Sequence, residues 1–373
     1  MVYRMTEWIE CTLDKLGEIV GGATPSTKCE DYYGGSIPWI TPKDLSSFKG
    51  RYITSGERNI TEKGLASCSA QMMPKDAVLF TSRAPIGYVA IASQSVCTNQ
   101  GFKSIVVNEK ADPLFVYYLL KYNKDAIEAM GSGTTFKEVS GKTMRAVKVR
   151  IPLDVSYKKR IAAVLDSLDT KIENNERIND NLQQQAQAIY SSMFIDNPDP
   201  AWSHGHLSDL ITVKYGKDHK KLADGIYPVY GSGGIMRYVE RPLYNKESVL
   251  IPRKGTLNNV MYVNQPFWSV DTMFYTEMKL PNVAKFVYHF VKAKDLASMN
   301  AGSAVPSMTT DILNAMEVVI PSASALEEFE SLVAPMYEAM EANDVQSKAL
   351  SQIRDTLLPK LMSGEIDVSD VQL

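Results

Sequence analysis

Two long stretches of the chain repeat apolar residues at alternating intervals of three and four positions. Seam positions of the first stretch are Ile161, Leu165, Leu168, Ile172, Asn175, Asn179, Leu182, Ala186, Ile189 and Met193. Those of the second are Leu326, Phe329, Val333, Met336, Met340, Asn343, Ser347, Leu350, Arg354, Leu357 and Leu361. A mean spacing of about 3.5 residues over this length predicts two helices of a coiled coil. The alternative is two separate amphipathic helices, each packed on its own domain.

Both seams turn polar at their middles. Asn175 and Asn179 interrupt the first seam, and Asn343 and Ser347 interrupt the second. If the helices run antiparallel, these positions face each other, and sliding one helix would bury them against leucine. We therefore expect the four residues to fix the register of the coiled coil, at some loss of stability. Pro335 lies within the second stretch, where it should kink the helix or delay its start.

The segments before the two helical stretches match each other at a period of about 170 residues. Residues 78–83 (VLFTSR) correspond to residues 249–254 (VLIPRK), and residues 115–121 correspond to residues 286–292. Both segments are rich in glycine, proline, tyrosine and β-branched residues, with short strand-like runs. A helix is expected over residues 113–130. The chain therefore contains one long unit twice.

The predicted architecture is an α+β fold with a pseudo-two-fold internal repeat. Two β-rich domains are separated by the two helices, which pair as an antiparallel coiled coil. A helix of about 35–40 residues spans roughly 50–60 Å, so the pair would hold the two domains at a fixed separation, and one turn of DNA, for comparison, is roughly 34 Å. The expected boundaries are 1–152 and 198–321 for the domains, 153–197 for the central helix, and 322–373 for the C-terminal helix and tail.

The distribution of charge matters more than its total. The net charge of −3 argues against a DNA-binding protein, but the two predicted domains carry +4 and +2, and the helical segments −2 and −7. Basic domains permit DNA binding without requiring it. The sequence lacks an apolar run of transmembrane or signal-peptide length, and its four cysteines lack metal-ligand spacing. We therefore expect a cytoplasmic protein without a zinc site or disulfide framework.

Several motifs carry a resemblance to a known family. They are residues 16–26 (LGEIVGGATPS), 37–45 (IPWITPKDL), 81–87 (TSRAPIG), 98–102 (TNQGF), 159–166 (KRIAAVLD) and 357–366 (LLPKLMSGEI). With these motifs the chain resembles the specificity subunits of type I restriction-modification systems over essentially its whole length. The second domain departs more, since residues 229–234 (VYGSGG) replace the pattern at 39–45. Such divergence suits a domain that reads a different half-site.

The resemblance implies a DNA-binding subunit without catalytic residues. Two target-recognition domains would each read one half of a split DNA site, and the paired helices would dock methyltransferase subunits, two of them expected. A motor-nuclease subunit would join the complex, and S-adenosylmethionine, ATP and magnesium would be bound by the partners. Two alternatives stay open: the reading subunit of a two-component enzyme whose other chain both methylates and cuts, and a coiled-coil scaffold that binds proteins.

Candidate DNA contacts are loop residues that follow strands. Arg83 could donate two hydrogen bonds to guanine or bind a phosphate, and Arg253 and Lys254 match it in the repeat. Lys43 lies in a turn whose Asp44 could instead cap a short helix. The residues predicted to contact DNA are Lys43, Thr81, Ser82, Arg83, Ser132, Gly133, Thr134, Tyr230, Ser232, Arg253, Lys254 and Ser303, with Lys220 and Lys221 as further candidates.

Signatures of catalysis or metal binding fail on inspection. Residues 197–200 (NPDP) lack the terminal aromatic residue of an amino-methyltransferase motif, and residues 231–234 lack the following Lys-Ser/Thr of a P-loop. His204 and His206 have no cysteine or carboxylate cluster nearby in the sequence. We therefore predict a protein that binds DNA and performs no chemistry itself.

Overall fold

The computed structural model describes residues 7–133, 137–299 and 307–372 of the chain. Among these residues the strands are β1 (Trp8–Thr12), β2 (Gly17–Gly21), β3 (Tyr33–Ile40), β4 (Tyr52–Ile53), β5 (Arg58–Ile60), β6 (Val78–Ser82), β7 (Ile86–Ala92), β8 (Cys97–Thr98), β9 (Lys103–Val107), β10 (Lys148–Pro152), β11 (Ser203–His206), β12 (Ile211–Tyr215), β13 (Asp224–Gly231), β14 (Gly234–Val239), β15 (Ser248–Pro252), β16 (Met261–Val263), β17 (Trp268–Ser269), β18 (Met273–Met278) and β19 (Glu317–Ile320). The α-helices are α1 (Pro42–Ser46), α2 (Glu62–Ala66), α3 (Pro113–Tyr122), α4 (Lys124–Ala129), α5 (Gly141–Ala146), α6 (Val155–Ser191), α7 (Leu207–Leu210), α8 (Ala284–Lys292), α9 (Thr310–Asn314) and α10 (Ala323–Ser363). Short 3-10 turns lie at Leu13–Lys15 and Glu30–Tyr32, and a π-helical turn lies at Ser192–Asp196.

The chain folds as two compact units. Unit 1 consists of Met1–Glu176 and Asp344–Leu373, and unit 2 consists of Arg177–Asn343. Each unit therefore contains one β-rich domain together with one half of α6 and one half of α10.

The two units contain matching sheets. Unit 1 has sheets of strand order β2-β9-β6-β7-β4, β5-β3-β8 and β1-β10, and unit 2 has β12-β18-β15-β16, β14-β13-β17 and β11-β19. All five residues of β6 and all five of β15 are buried, so each of these inner strands lies in the core of its unit. In each unit the first strand pairs antiparallel with the last. These matches confirm the predicted α+β class and internal repeat.

One helix covers the main sheet in each unit, α3 against β6 and β7, and α8 against β15 and β16. Helix α3 begins where it does because the Asp112 side chain accepts a hydrogen bond from the Phe115 N–H (3.0 Å) and Pro113 occupies the first turn. The predicted helix over residues 113–130 is interrupted at Asn123. Its side chain donates to the Leu119 carbonyl (2.8 Å), and α4 starts directly afterwards.

The long helices run antiparallel within each unit. In unit 1, Asn175 on α6 donates a hydrogen bond to Ser347 on α10 (3.1 Å). In unit 2, Asn343 on α10 donates to Asn179 on α6 (2.9 Å). Every predicted seam position is buried or half-buried, which confirms the coiled coil. The four polar residues meet as the sequence predicts, and their role in fixing register stays a prediction.

The predicted effect of Pro335 is partly wrong. Helix α10 begins at Ala323, well before the proline, and continues through it. Phe329 and Val333 are fully buried in the core of unit 2, so packing holds the first turns helical ahead of the proline. In the part of the chain that the structure describes, no helix is long and apolar enough to cross a membrane.

A polar contact joins the β-rich domain of each unit to both long helices. In unit 1 the Tyr118 hydroxyl on α3 donates to the Asp169 carboxylate on α6 (2.7 Å). Arg354 on α10 donates to the other oxygen of that carboxylate (2.6 Å). In unit 2 the matching position on α8 is His289, which also contacts both long helices. In each unit the β-rich domain is therefore tied to its parts of α6 and α10 by polar contacts.

Candidate nucleic-acid interface

In unit 1, several loops meet where β2 and β6 end and β7 and β9 begin. Ser82 donates its backbone N–H to the Gly101 carbonyl (2.7 Å). Gly101 approaches Pro42 so closely that a Cβ on the glycine would lie 2.7 Å from the proline Cγ. The Val139 N–H donates to the Ser82 carbonyl (2.9 Å) and brings in the segment that follows Ser132. We define loop cluster 1 as residues 22–24, 41–43, 82–85, 99–103, 131–133 and 137–139.

The first loop of cluster 1 is held by backbone contacts. Ala23 donates its N–H to the Thr98 carbonyl (3.0 Å), and Trp39 donates its indole N–H to the Ala23 carbonyl (3.0 Å). Gly22 lies against the Thr98 carbonyl, and any side chain there would overlap that oxygen. Only glycine permits this approach. Residues from three of the sequence motifs, 16–26, 37–45 and 98–102, therefore hold this one loop in place.

Arg83 lies half-exposed in loop cluster 1 beside a carboxylate. Its Nη1 is 3.6 Å from Glu138 Oε2, and Lys103 Nζ is 3.4 Å from Glu138 Oε1. Ser132 exchanges two backbone hydrogen bonds with Glu138 (2.9 and 3.0 Å). Both Ser132 and Gly133 are exposed. The structure thus brings three predicted DNA contacts together on one accessible surface.

Lys43 belongs to the same cluster at the start of α1. Its side chain is 77% exposed, and Nζ lies 2.7 Å from Glu57 Oε2. Asp44 accepts a hydrogen bond from the Thr41 N–H (2.7 Å) and caps α1. Exposed ion pairs contribute little to stability, so Lys43 can exchange Glu57 for a DNA phosphate at small cost.

Thr81 and Ser82 do not reach the surface. Both side chains are fully buried. Thr81 Oγ1 accepts the Tyr88 N–H (2.8 Å), and Ser82 Oγ donates to the Gly101 carbonyl (3.2 Å). Because β6 is covered on both faces, its last residues face protein rather than solvent. The prediction that these hydroxyls contact DNA is wrong, and they instead stabilise the strand that presents Arg83.

Unit 2 joins its loops by the same backbone contacts. Met308 donates its N–H to the Arg253 carbonyl (2.9 Å), and Lys254 forms a β-bridge with Ser307. The corresponding contacts in unit 1 show that Lys254 takes the position of Arg83. The match of the two sequence segments therefore holds in three dimensions.

Arg253 and Ser232 lie close to Lys254. The Arg253 guanidinium sits 5.4 Å from the centre of the Tyr215 ring and donates to the Asp271 carbonyl (3.3 Å). A Cβ on Gly255 would lie 2.7 Å from Ser232 Oγ. We define loop cluster 2 as residues 216–221, 231–234, 252–259, 269–272 and 307–308.

Tyr230 is not available to DNA. It is 9% exposed, its ring packs on Phe267 at 6.1 Å between centroids, and its hydroxyl accepts a hydrogen bond from Gln265 (3.2 Å). The prediction of a DNA contact there is wrong, because the side chain points into the core of the domain. Lys220 and Lys221 are exposed in the loop after β12. The predicted contacts Thr134 and Ser303 lie outside the described residues.

Lys217 is an exposed cation of cluster 2 that the sequence analysis missed. Its N–H donates to the Ser269 carbonyl (2.8 Å), and its carbonyl accepts the indole N–H of Trp268 (2.8 Å). Trp39 makes the same contact in unit 1, but from a different strand. Gly216 was the sequence signal that could have identified Lys217. It follows a strand-like run and comes directly before Lys217, just as Gly22 comes directly before the first loop of cluster 1.

The clusters offer exposed cations, hydroxyl groups and backbone amides, which are the groups that bind phosphates and base edges. Within residues 7–133, 137–299 and 307–372, no group of three or more His, Cys, Asp and Glu side chains is placed to hold a metal ion. His204 and His206 are exposed on β11.

The chain is similar to known proteins over nearly its whole length. A family model described as the type I restriction modification DNA specificity domain matches residues 5–184 and 201–329. The chain is 32% identical to the type I restriction enzyme MjaIX specificity subunit of Methanocaldococcus jannaschii, across 98% of this chain and 95% of that relative. It is 22% identical to the EcoprrI specificity subunit of Escherichia coli, across 89% of both. The crystal structure of a type I restriction-modification S subunit from M. genitalium matches with a TM-score of 0.63 at 18% identity, across 97% of both chains, and shares the fold.

Proposed function

Since this chain belongs to the type I restriction modification DNA specificity family, we propose that unit 1 and unit 2 each read one half of a bipartite DNA target. The chain is the DNA specificity subunit of a type I restriction-modification complex, with two target-recognition domains and no catalytic role.

The duplicated loop cluster carries this proposal. Arg83 and Lys254 occupy equivalent positions at the ends of equivalent strands. A guanidinium can form two hydrogen bonds with guanine, whereas an ammonium acts as a compact point charge. The two domains therefore read different half-sites from the same framework. The contacts that we propose are Lys43, Arg83, Ser132, Gly133, Lys217, Ser232, Arg253 and Lys254.

We propose that the long helices bind methyltransferase subunits, two in all, and that a motor-nuclease subunit joins through them. Large apolar side chains are exposed on these helices, and apolar groups exposed on otherwise polar helices are suited to protein contacts. They are Ile178 (44% exposed), Leu332 (47%), Val345 (62%) and Ile353 (47%). Residues 322–373 carry a net charge of −7, which disfavours direct contact between this segment and DNA.

The cofactors of the complex belong to its other subunits. S-adenosylmethionine serves methyl transfer, and ATP and magnesium serve the motor, so membership of the specificity family assigns all three to the partner chains. We propose that this chain acts in the cytoplasm, where its only role is to select the DNA sequence on which the complex acts.

Methylation-sensitive sequencing tests the function directly. Cells that carry this gene with the adjacent methyltransferase gene are compared with cells that lack only this gene. We expect two short specified halves around an unspecified gap, methylated only in the first strain. An unchanged pattern, with the methyltransferase active, would contradict the proposal that units 1 and 2 each read one half of a DNA target.

Replacement of Arg83 then tests the assignment of a half-site to unit 1. In R83A we expect methylation to relax at one half of the motif only, with a loss of about 5- to 150-fold in affinity for the target. R83K separates base reading from phosphate binding, since lysine restores only the latter. The control is K148A, because Lys148 is 72% exposed on β10 outside loop cluster 1. Relaxation at both halves, or equal effects of R83A and K148A, would contradict the assignment.

A further inference from the structure

A carboxylate lies inside the proposed DNA-reading surface of unit 1. Glu138 is 40% exposed and sits between two cations, Arg83 at 3.6 Å and Lys103 at 3.4 Å. A negative charge at this place repels DNA phosphates and attracts the guanidinium of Arg83. Its presence requires a reason, since a serine or glutamine could maintain the backbone bridge to Arg83 equally well.

Unit 2 shows that the carboxylate is not needed to build the cluster. Ser307 forms the β-bridge with Lys254 that Glu138 forms with Arg83. The next residue in each unit, Val139 or Met308, donates the equivalent backbone hydrogen bond. These two backbone contacts therefore form with a hydroxyl as well as with a carboxylate, so they do not require the charge at Glu138.

We propose that Glu138 is a specificity-determining residue, an internal counter-ion that holds Arg83 and Lys103 until the correct half-site displaces it. The inference rests on the proposed function, because it needs unit 1 to read a half-site. A carboxylate accepts two hydrogen bonds from a guanidinium, as the O6 and N7 atoms of guanine do. The correct base pair thus offers Arg83 two acceptors in exchange for its ion pair with Glu138.

Non-target DNA gains less from the same exchange. It offers Arg83 phosphates in place of the matching base edge, and Glu138 repels those phosphates while it competes for the guanidinium. A half-exposed ion pair at 3.6 Å is weak enough to be displaced by a correct partner. Glu138 therefore lowers binding to wrong sequences more than binding to the right one.

The test uses the complex of this chain with its methyltransferase subunits and four duplexes. These carry the motif found by methylome sequencing, the motif with either half scrambled, and both halves scrambled. In E138Q we expect binding to the doubly scrambled duplex to tighten about 3- to 10-fold, while target binding changes less than about twofold. Discrimination then falls at one half-site only. The slope of log affinity against log salt should steepen by about one, since one more cation reaches phosphate.

Two further variants complete the comparison. E10Q removes the same charge from unit 1 at the Glu10–Lys148 pair (3.0 Å), outside the cluster, and should leave all four affinities unchanged. S307E introduces the counter-ion into unit 2, where it should weaken non-target binding and sharpen discrimination at the other half-site.

The outcomes separate the two proposals. If the wild-type complex binds all four duplexes equally, the proposed function itself fails. If the wild type discriminates but E138Q behaves like E10Q, the counter-ion role is overturned and the function stands. Loss of target affinity in E138Q without tighter non-target binding would also overturn it, because Glu138 would then contact the DNA itself.

Discussion

At the scale of single residues, His289 illustrates how a buried titratable group ties a recognition domain to its helices. Its Nδ1 lies 2.8 Å from Gln187 Oε1 on α6, and its Nε2 lies 3.0 Å from the Tyr337 hydroxyl on α10. The ring stacks on Tyr190 (5.7 Å between centroids) and contacts Phe329. Gln187 accepts, so the neutral ring carries its proton on Nδ1 and accepts from the tyrosine at Nε2. Burial lowers the pKa of His289 to about 4.

This pKa predicts a loss of stability on mild acidification. The unfolded chain binds a proton at His289 near pH 6.5, and the folded chain binds it only near pH 4, so stability falls as pH drops through that window. Between pH 7 and pH 5 we expect the free energy of unfolding of the wild type to fall by about 2 kcal/mol more than that of H289Q. Denaturant unfolding at both pH values measures this difference. Parallel pH dependence of the two proteins would show that His289 is not buried neutral.

The exposure of the basic residues of the proposed interface was predictable, but the burial of its uncharged residues was not. Arg83, Lys43 and Lys254 are basic residues in loops, and a charged side chain rarely lies fully buried. A threonine, serine or tyrosine at the end of a strand can face either way. Thr81 and Tyr230 turn inward because of tertiary packing, which is invisible in the local sequence.

At the scale of elements, each unit has a tryptophan whose indole donates a hydrogen bond to the first loop of its cluster, and these two tryptophans lie on different strands of the repeat. In unit 1, Trp39 lies on β3 and pairs with Cys97 on the parallel strand β8. In unit 2 the large and small residues are reversed, with Val229 on β13 and Trp268 on β17. Either arrangement fills the same space with one indole and one small side chain. The position of each indole also lets it donate to the carbonyl of the first loop.

This exchange predicts that Trp268 positions the loop that carries Lys217. W268F keeps most of the ring volume but removes the hydrogen bond to the Lys217 carbonyl (2.8 Å). We expect a loss of about 1 kcal/mol in stability and a several-fold loss of affinity at one half-site. The control is W202F, since Trp202 packs on Phe194 next to α6, away from loop cluster 2. Thermal unfolding and binding to half-scrambled duplexes measure both effects. If the variant were less stable but its half-site preference were unchanged, Trp268 would contribute to the core without positioning the loop.

The long helices were the most predictable elements, because a seam repeats the same physical requirement over ten or more positions. The strands that carry Trp39 and Trp268 were harder to match. The two residues do not align in the repeat at a period of about 170. Only the fold therefore reveals that both indoles occupy equivalent strand pairs and hold the first loop of their unit. The convergence of distant loops, such as Pro42 on Gly101, is likewise a tertiary contact without a local signal.

At the scale of the whole molecule, the repeat places few unpaired cations at each proposed recognition surface. In cluster 1, Lys43 is paired with Glu57, Arg83 and Lys103 share one carboxylate, and Lys137 is exposed. Cluster 2 contributes Lys217, Lys220, Lys221, Arg253 and Lys254. The entire chain carries a net charge of −3. Since each phosphate contact releases counter-ions, a small number of free cations limits both the affinity and its dependence on salt.

We therefore predict that the isolated chain binds its target weakly, and that methyltransferase subunits strengthen the binding. With about five phosphate contacts, the slope of log affinity against log salt should be near −4 to −5 for the chain alone, about a thousandfold weakening or less between 50 and 200 mM salt. The complex should bind more tightly with a steeper slope, because the partners add cations around the duplex. Titrations of the target duplex at several salt concentrations, with and without the partner, measure both quantities. Equal affinity, specificity and slope without the partner would mean that the two loop clusters supply all the phosphate contacts themselves, and that the acidic helices impose no cost on DNA binding.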